Sequence, residues 1–189
     1  MNTRTVGGTD DSDKVHPLNG YPRAHAGGDG SSSDKGKYRN GVDTMRGYFG
    51  IGIQNTKTAM NIGTLWRSAQ IMGASFIFTI GKRYKTQSSD TMKTTRHIPL
   101  YHYETFPEFY KVMPYGCQLI GVELSPKAVA IKSFNHPQKC IYLLGAEDNG
   151  LTNEAANKCY SLVQLPGEHC LNVAVAGSII MYDRLSKQT

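Results

Sequence analysis

The sequence has no CxxC pair, and its four cysteines (Cys117, Cys140, Cys159 and Cys170) show no regular spacing with histidine. That argues against a zinc site, so no metal is expected, and a reduced, cytoplasmic setting is the default. No apolar run reaches the ~20 residues that a membrane-spanning helix needs. The polar N-terminus has no apolar signal core. A soluble protein with no membrane partner is therefore expected. Internal repeats are absent, which excludes solenoids and propellers. Acid is scarce relative to base, with 15 Asp+Glu against 21 Lys+Arg and a formal net charge of +6. An excess of that sign favours an anionic partner. The 189 residues suffice for one domain with a real core and are too few for two ordinary ones.

Large apolar residues are rare in residues 1–46, where Gly, Ser and Asp dominate and no period is visible. Such a segment buries too little surface to offset its ordering entropy, so it reads as a flexible arm. A solvated linker and an arm touching RNA through Lys35, Lys37, Arg39 and Arg46 both fit it. Residues 47–189 then form the folded domain. Tyr48 to Gln54 alternates as a strand, and Asn61 to Met72 reads as a helix with Asn61 as N-cap and Gly73 as its stop. Ala74 to Ile80 is a buried strand, and strand–helix–strand order suggests a parallel sheet with a right-handed crossover.

From Gly81 to His97 the chain is polar and aperiodic, a loop. Between Lys82 and Arg96 it holds five basic residues and one acid. Lys82, Arg83, Lys85, Lys93 and Arg96 beside Tyr84 suit phosphate contacts with base stacking, although a merely solvated basic loop fits as well. Ile98 to Tyr103 reads as a short strand, Thr105 to Met113 as a short helix, and Gln118 to Leu124 as a central strand. A polar stretch to Gln138 precedes the apolar strand Cys140 to Leu144. Thr152 caps a helix from Asn153 to Lys158, and Tyr160 to Leu165 is the last strand. Alternating strands and helices make this an α/β domain.

The final stretch begins as a turn at Pro166-Gly167 and enters a helix. There Leu171, Val175, Ile179 and Tyr182 fall at helical spacing, with Ala174, Ala176, Gly177 and Ser178 between them. Small residues let another backbone approach, so a tightly packed helix is expected. Its turn-to-helix junction, Glu168-His169-Cys170 with Asn172, is a place where free N–H groups can hold a ligand. The bland alternative is a core helix capped by Asn172.

Three separated stations complete the pattern: Asn61-Ile-Gly63 with Arg67, Gly145-Ala-Glu147 with Gly150, and Leu165-Pro166 followed by Cys170-Leu-Asn172. Each alone occurs by chance. In order and spacing together they resemble the motifs of the SpoU (TrmH-like) family of SPOUT-class RNA 2′-O-ribose methyltransferases, over about residues 48–187. The resemblance implies a mostly parallel sheet flanked by helices, with a C-terminal trefoil knot whose loops bind S-adenosyl-L-methionine. By position, the cofactor-facing residues would be Val122, Glu123, Leu124, Leu144, Gly145, Gly150, Val163, Leu165, Pro166, Cys170 and Leu171. The catalytic set would be Arg67 with Asn61, Glu147 and Asn172. Homodimers are implied too, with Trp66, Ile71 and Tyr182 as candidates for the apolar patch, though all three fit an ordinary core equally well.

The implied chemistry is attack of a ribose 2′-OH on an activated methyl, most readily in tRNA rather than rRNA, with no role for DNA. Guanidinium stays protonated at ordinary pH, so Arg67 is awkward as a literal base. Bidentate binding of the neighbouring phosphate is the easier role. Cys170 departs from the serine that many relatives carry, and a thiol donates more weakly. That departure motivates a competing reading, an inactive RNA-binding protein of the same fold. Base methylation by a related knotted enzyme is a third.

Overall fold

The computed structural model describes residues 47–56, 58–81, 97–146 and 148–188. The N-terminal arm, the basic loop with Lys82, Arg83, Lys85, Lys93 and Arg96, and Glu147 lie outside the described residues. The elements in order are β1 (Tyr48–Gln54), α1 (Ala59–Ile71), β2 (Phe76–Ile80), β3 (Leu100–Tyr103), α2 (Phe106–Lys111), β4 (Gln118–Val122), β5 (Val129–Ala130), β6 (Lys139–Leu144), α3 (Asn153–Lys158), β7 (Ser161–Gln164) and α4 (Val173–Lys187).

The strands form one seven-stranded sheet in the order β3-β2-β1-β6-β4-β7-β5. Every pairing between them is parallel. Both faces are covered, as the continuous apolar runs of β2 and β6 require. On one face Ile51, Ile53, Leu65, Trp66, Ala174 and Ile180 share a core with α1 and α4. On the other, Phe78 of β2 stacks on Phe109 of α2 at 4.3 Å and 8°, within a core that Ala155 of α3 completes. β6 enters between β1 and β4, and β7 between β4 and β5, so late strands fill gaps that earlier ones leave. The C-terminal threading of the knotted class follows from this order.

Several boundaries differ from the sequence expectation. α1 begins at Ala59 with Thr58 at the N-cap, so Asn61 is not the cap. Instead Asn61 is buried in the first turn, and its side chain bonds across to α4. β2 starts at Phe76, because Ala74 and Ser75 bind back to Ala69 and Phe49 through their N–H groups. The polar stretch before β6 holds β5 and a 3-10 turn at Ile131–Ser133, both too short to give a period.

The two faces of α4 are sorted by side-chain size. The stripe Val175, Ile179 and Tyr182 faces outward, with 47%, 37% and 66% exposure. The buried face is Val173, Ala174, Ala176, Gly177, Ile180, Met181 and Arg184. Close packing explains the choice: a Cβ on Gly177 would lie 2.3 Å from Leu65 Cδ1, so α1 meets the small residues and the bulky ones are left outside. Of the three patch candidates, Trp66 takes the core alternative. It is buried and donates its Nε1–H to Ile98 O at 3.1 Å, so it belongs to the core and not to a surface patch.

The far end of α4 is tied to the segment before β6. His136 Nε2 lies 2.8 Å from Asp183 Oδ2, and His136 Nδ1 lies 2.6 Å from Tyr142 Oη. Lys187 Nζ bonds the same Asp183 oxygen at 2.8 Å. Neutral imidazole suits this set, with Nε2–H donating to the carboxylate and Nδ1 accepting from the phenol. Burial pushes the His136 pKa below its ordinary 6.5, and Arg184 and Lys187 push the same way against the opposing pull of Asp183. Burial alone would raise Asp183, yet hydrogen bonds from Lys187 and His136 hold its carboxyl below the usual range. A depressed histidine stabilises the fold above its unfolded pKa and less as pH falls. Between about pH 7.5 and about pH 5 the melting temperature is therefore expected to drop, and His136→Gln to flatten that part of the curve. A profile equally steep in the variant would assign the effect elsewhere.

Candidate functional site

In a parallel sheet, ligands gather where strands end at their carboxyl edge. Here β4, β6 and β7 end side by side, with Val122 in register with Leu144 and with Val163. The three segments leaving that edge surround a cleft open to solvent. Its walls are Val122, Glu123 and Leu124 after β4, Leu144, Gly145, Ala146 and Gly150 after β6, and Leu165, Pro166, His169, Cys170 and Leu171 after β7. Val173 and Ala176 of α4 close it. All the cofactor-facing candidates are there except Val163, which is fully buried in β7. Ala146, His169, Val173 and Ala176 were not among those candidates, although Ala146 and His169 each sit next to one in sequence.

The loop after β6 is held tightly. Gly150 N–H donates to Ala146 O at 2.8 Å, and Gly150 adopts φ +62°, which favours glycine. A Cβ on Gly145 would stand 2.1 Å from the Gly150 carbonyl carbon, so only glycine permits this approach. Glu123 clamps the far side of the loop. Its Oε2 accepts from Leu151 N–H at 2.7 Å, while Oε1 accepts from Leu124 N–H at 3.2 Å. Gln54, buried at the end of β1, binds Thr152 twice: its Oε1 accepts from Thr152 N–H at 3.0 Å and its Nε2 donates to Thr152 Oγ1 at 3.1 Å. Neither clamp was legible beforehand, because each joins residues far apart in sequence.

The first and third motifs meet directly. Asn172 Nδ2 donates to Asn61 Oδ1 at 3.0 Å, while Asn172 Oδ1 caps α4 by accepting from Ala174 N–H at 2.9 Å and Val175 N–H at 3.4 Å. Both capping and cross-linking are thus done by one amide. Ser178 Oγ, 2.9 Å from Ser68 Oγ, repeats the link between the same helices about two turns on.

Arg67 stands apart from these contacts. It does not line the cleft and is exposed on the α1 face that also carries Met60, Thr64 and Ile71. Met60 and Ile71 are each 69% exposed. Beside them Met72, Val175, Ile179 and Tyr182, with Thr64 and Ser178, line an apolar groove between α1 and α4. Single exposed apolar residues are ordinary, but a contiguous set marks a contact surface.

Among the described residues no three His, Cys, Asp or Glu side chains gather as a metal site, and no helix is long and apolar enough to cross a membrane. The sequence matches the SpoU rRNA Methylase family over residues 49–182. It is 26% identical over 150 residues to an uncharacterised tRNA/rRNA methyltransferase of Archaeoglobus fulgidus, covering 75% of this chain and 66% of that one. It is 23% identical over 129 residues to the tRNA (guanosine(18)-2′-O)-methyltransferase of Escherichia coli K12, covering 65% and 56%. The chain thus spans 56% to 66% of the length of these curated relatives. Among solved structures, the AdoMet-bound rRNA methyltransferase of Sinorhizobium meliloti superposes with a TM-score of 0.67 at 23% identity, over 75% of this chain and 59% of that one. The A. aeolicus TrmH/SpoU tRNA modifying enzyme gives 0.66 at 17%, over 76% and 79%. At those identities the structural likeness speaks for the fold alone. With the family match running from the first strand into α4, over residues 49–182, the chain belongs to the SpoU rRNA methylase family.

Proposed function

We propose that this protein is an S-adenosyl-L-methionine-dependent methyltransferase acting on a ribose 2′-OH of RNA, with tRNA as the favoured substrate. The observation that carries the proposal is the convergence of the three motif stations: Asn61 on Asn172, and the segments after β6 and β7 on one cleft. The walls suit the cofactor. Leu144, Leu165 and Leu171 offer apolar surface to an adenine, Gly145 lets backbone approach it, and Glu123 supplies acceptor oxygens for hydroxyl or ammonium hydrogens. When bound, the cofactor supplies a methyl already activated by positive sulfur.

The chain's share of the work is then positioning and help with one proton. Arg67 grips the phosphate beside the target ribose with two parallel N–H donors, and so aims the hydroxyl. The proton passes to phosphate or solvent, since a guanidinium does not accept it. Asn61 and Asn172 act by fixing α1, which carries Arg67, against the start of α4. A second copy packed on the apolar α1–α4 face would bury Met60, Ile71, Ile179 and Tyr182 and set Arg67 at an interface, away from open water. The names of relatives that modify tRNA favour that substrate.

Incubation with methyl-labelled cofactor and bulk tRNA or rRNA, followed by nucleoside analysis, tests the proposal. A 2′-O-methylated nucleoside is expected. Label in a base would overturn the ribose assignment. No label in any RNA, from protein that binds the cofactor, would favour the inactive RNA binder, a reading that the exposed Cys170 at the cleft wall also supports.

A further inference from the structure

The opposite, amino-terminal edge of the sheet carries a second surface of a different kind. Tyr115 is fully exposed in the turn before β4, and Tyr160 is 69% exposed immediately before β7. These strands are neighbours, and Tyr160 N–H donates to Leu119 O at 2.7 Å, so both tyrosines leave the sheet at the same edge. Tyr110, 38% exposed at the end of α2, sits beside them, with its ring 5.7 Å from the Phe106 ring and Lys158 Nζ 5.7 Å from its centroid. Lys111 ends α2, Lys158 ends α3 and Lys139 opens β6, all three exposed. The acids of α2 and α3, Glu108 and Glu154, lie in the first turns, one turn back from Lys111 and Lys158.

Helix dipoles account for lysines at helix ends. They do not account for three tyrosines held out in water among those lysines. Aromatic faces interleaved with cations are what single-stranded nucleic acid needs, because every base offers a face to stack and every phosphate a charge. We propose that this edge binds a single-stranded stretch of the substrate RNA, stacking bases on Tyr115 and Tyr160 and pairing phosphates with Lys111, Lys139 and Lys158. The inference rests on the RNA reading above and extends it to a site away from the reacting nucleotide. The five residues of β4 separate the two edges, roughly 15 Å at ~3.3 Å per residue. The edge therefore contributes to RNA affinity and not to the chemical step.

The experiment measures binding of a labelled single-stranded oligouridine and of bulk tRNA by the full chain, with methyl transfer in parallel. Tyr115→Ala and Tyr160→Ala are each expected to weaken RNA binding about fivefold or more, with cofactor affinity unchanged. Tyr→Phe at both positions keeps the stacking face and should keep the affinity. Each Lys→Gln change should reduce the slope of log affinity against log salt by about 0.7. In transfer assays the tyrosine variants should raise KM for RNA and leave kcat unaltered. Parent-like RNA affinity in the Tyr115→Ala/Tyr160→Ala double variant would overturn the edge site while transfer by the parent upholds the proposed function, and would leave a protein as the occupant of this edge. Tyrosine-dependent RNA binding by a parent that transfers no methyl would do the reverse. A parent that binds no RNA would overturn both.

Discussion

Arg67→Ala is expected to lower methyl transfer by at least about 100-fold, the scale on which removal of a positioning or proton-handling group is felt, while cofactor affinity stays within about twofold of the parent. The split follows from geometry. Arg67 does not line the cleft, so its loss leaves the cofactor walls intact. It is exposed on α1, so truncation leaves no buried void. Arg67→Lys separates charge from shape: a lysine keeps the cation but not the fork, and if phosphate is gripped by two donors it should recover little activity. Calorimetry with the cofactor and single-turnover transfer on tRNA measure the two halves independently. Near-normal transfer by Arg67→Ala would remove the arginine from the mechanism. Equal losses of transfer and cofactor binding would place it in the cofactor site.

Arg184→Met is expected to cost stability instead, on the order of 3–5 kcal/mol and about 10 °C or more in melting temperature. Arg184 is fully buried, and its guanidinium donates to Pro137 O at 2.6 Å and Gln138 O at 2.9 Å while lying 5.0 Å from the Phe49 ring centroid. Methionine fills much of the volume but removes the donor to Pro137 O and leaves Gln138 O with the Tyr48 N–H at 2.9 Å. The lost guanidinium hydrogen bonds and the lost contact with the Phe49 ring carry the expected loss. Thermal melting and denaturant titration measure it, and a change below about 1 kcal/mol would mean that the segment before β6 rearranges to satisfy itself. Because the contact is remote from the cleft, folded variant should bind cofactor normally at low temperature.

The parallel α/β architecture was legible because apolar runs such as Phe76–Ile80 and Lys139–Leu144 admit little else than buried strands. The cleft was legible through family motifs, which place Gly145 and Leu165-Pro166 at strand ends. Arg184 was not, since one basic residue in the last turn of a helix reads as dipole compensation. The orientation of α4 was left open by the sequence for a related reason. Counting large apolar residues picks Val175, Ile179 and Tyr182, whereas close helix packing buries the small ones and leaves these outside. Asn61 shows the same limit: a plausible cap by sequence, it is a cross-brace because Asn172 lies within reach of it in space.

The placing of β6 between β1 and β4 bears on how the chain is made. A ribosome that has released only as far as β4 has delivered two strands whose facing edges must wait for a third. Such unsatisfied edges invite pairing with other chains, so nascent protein is most vulnerable until β6 has emerged to fill the gap.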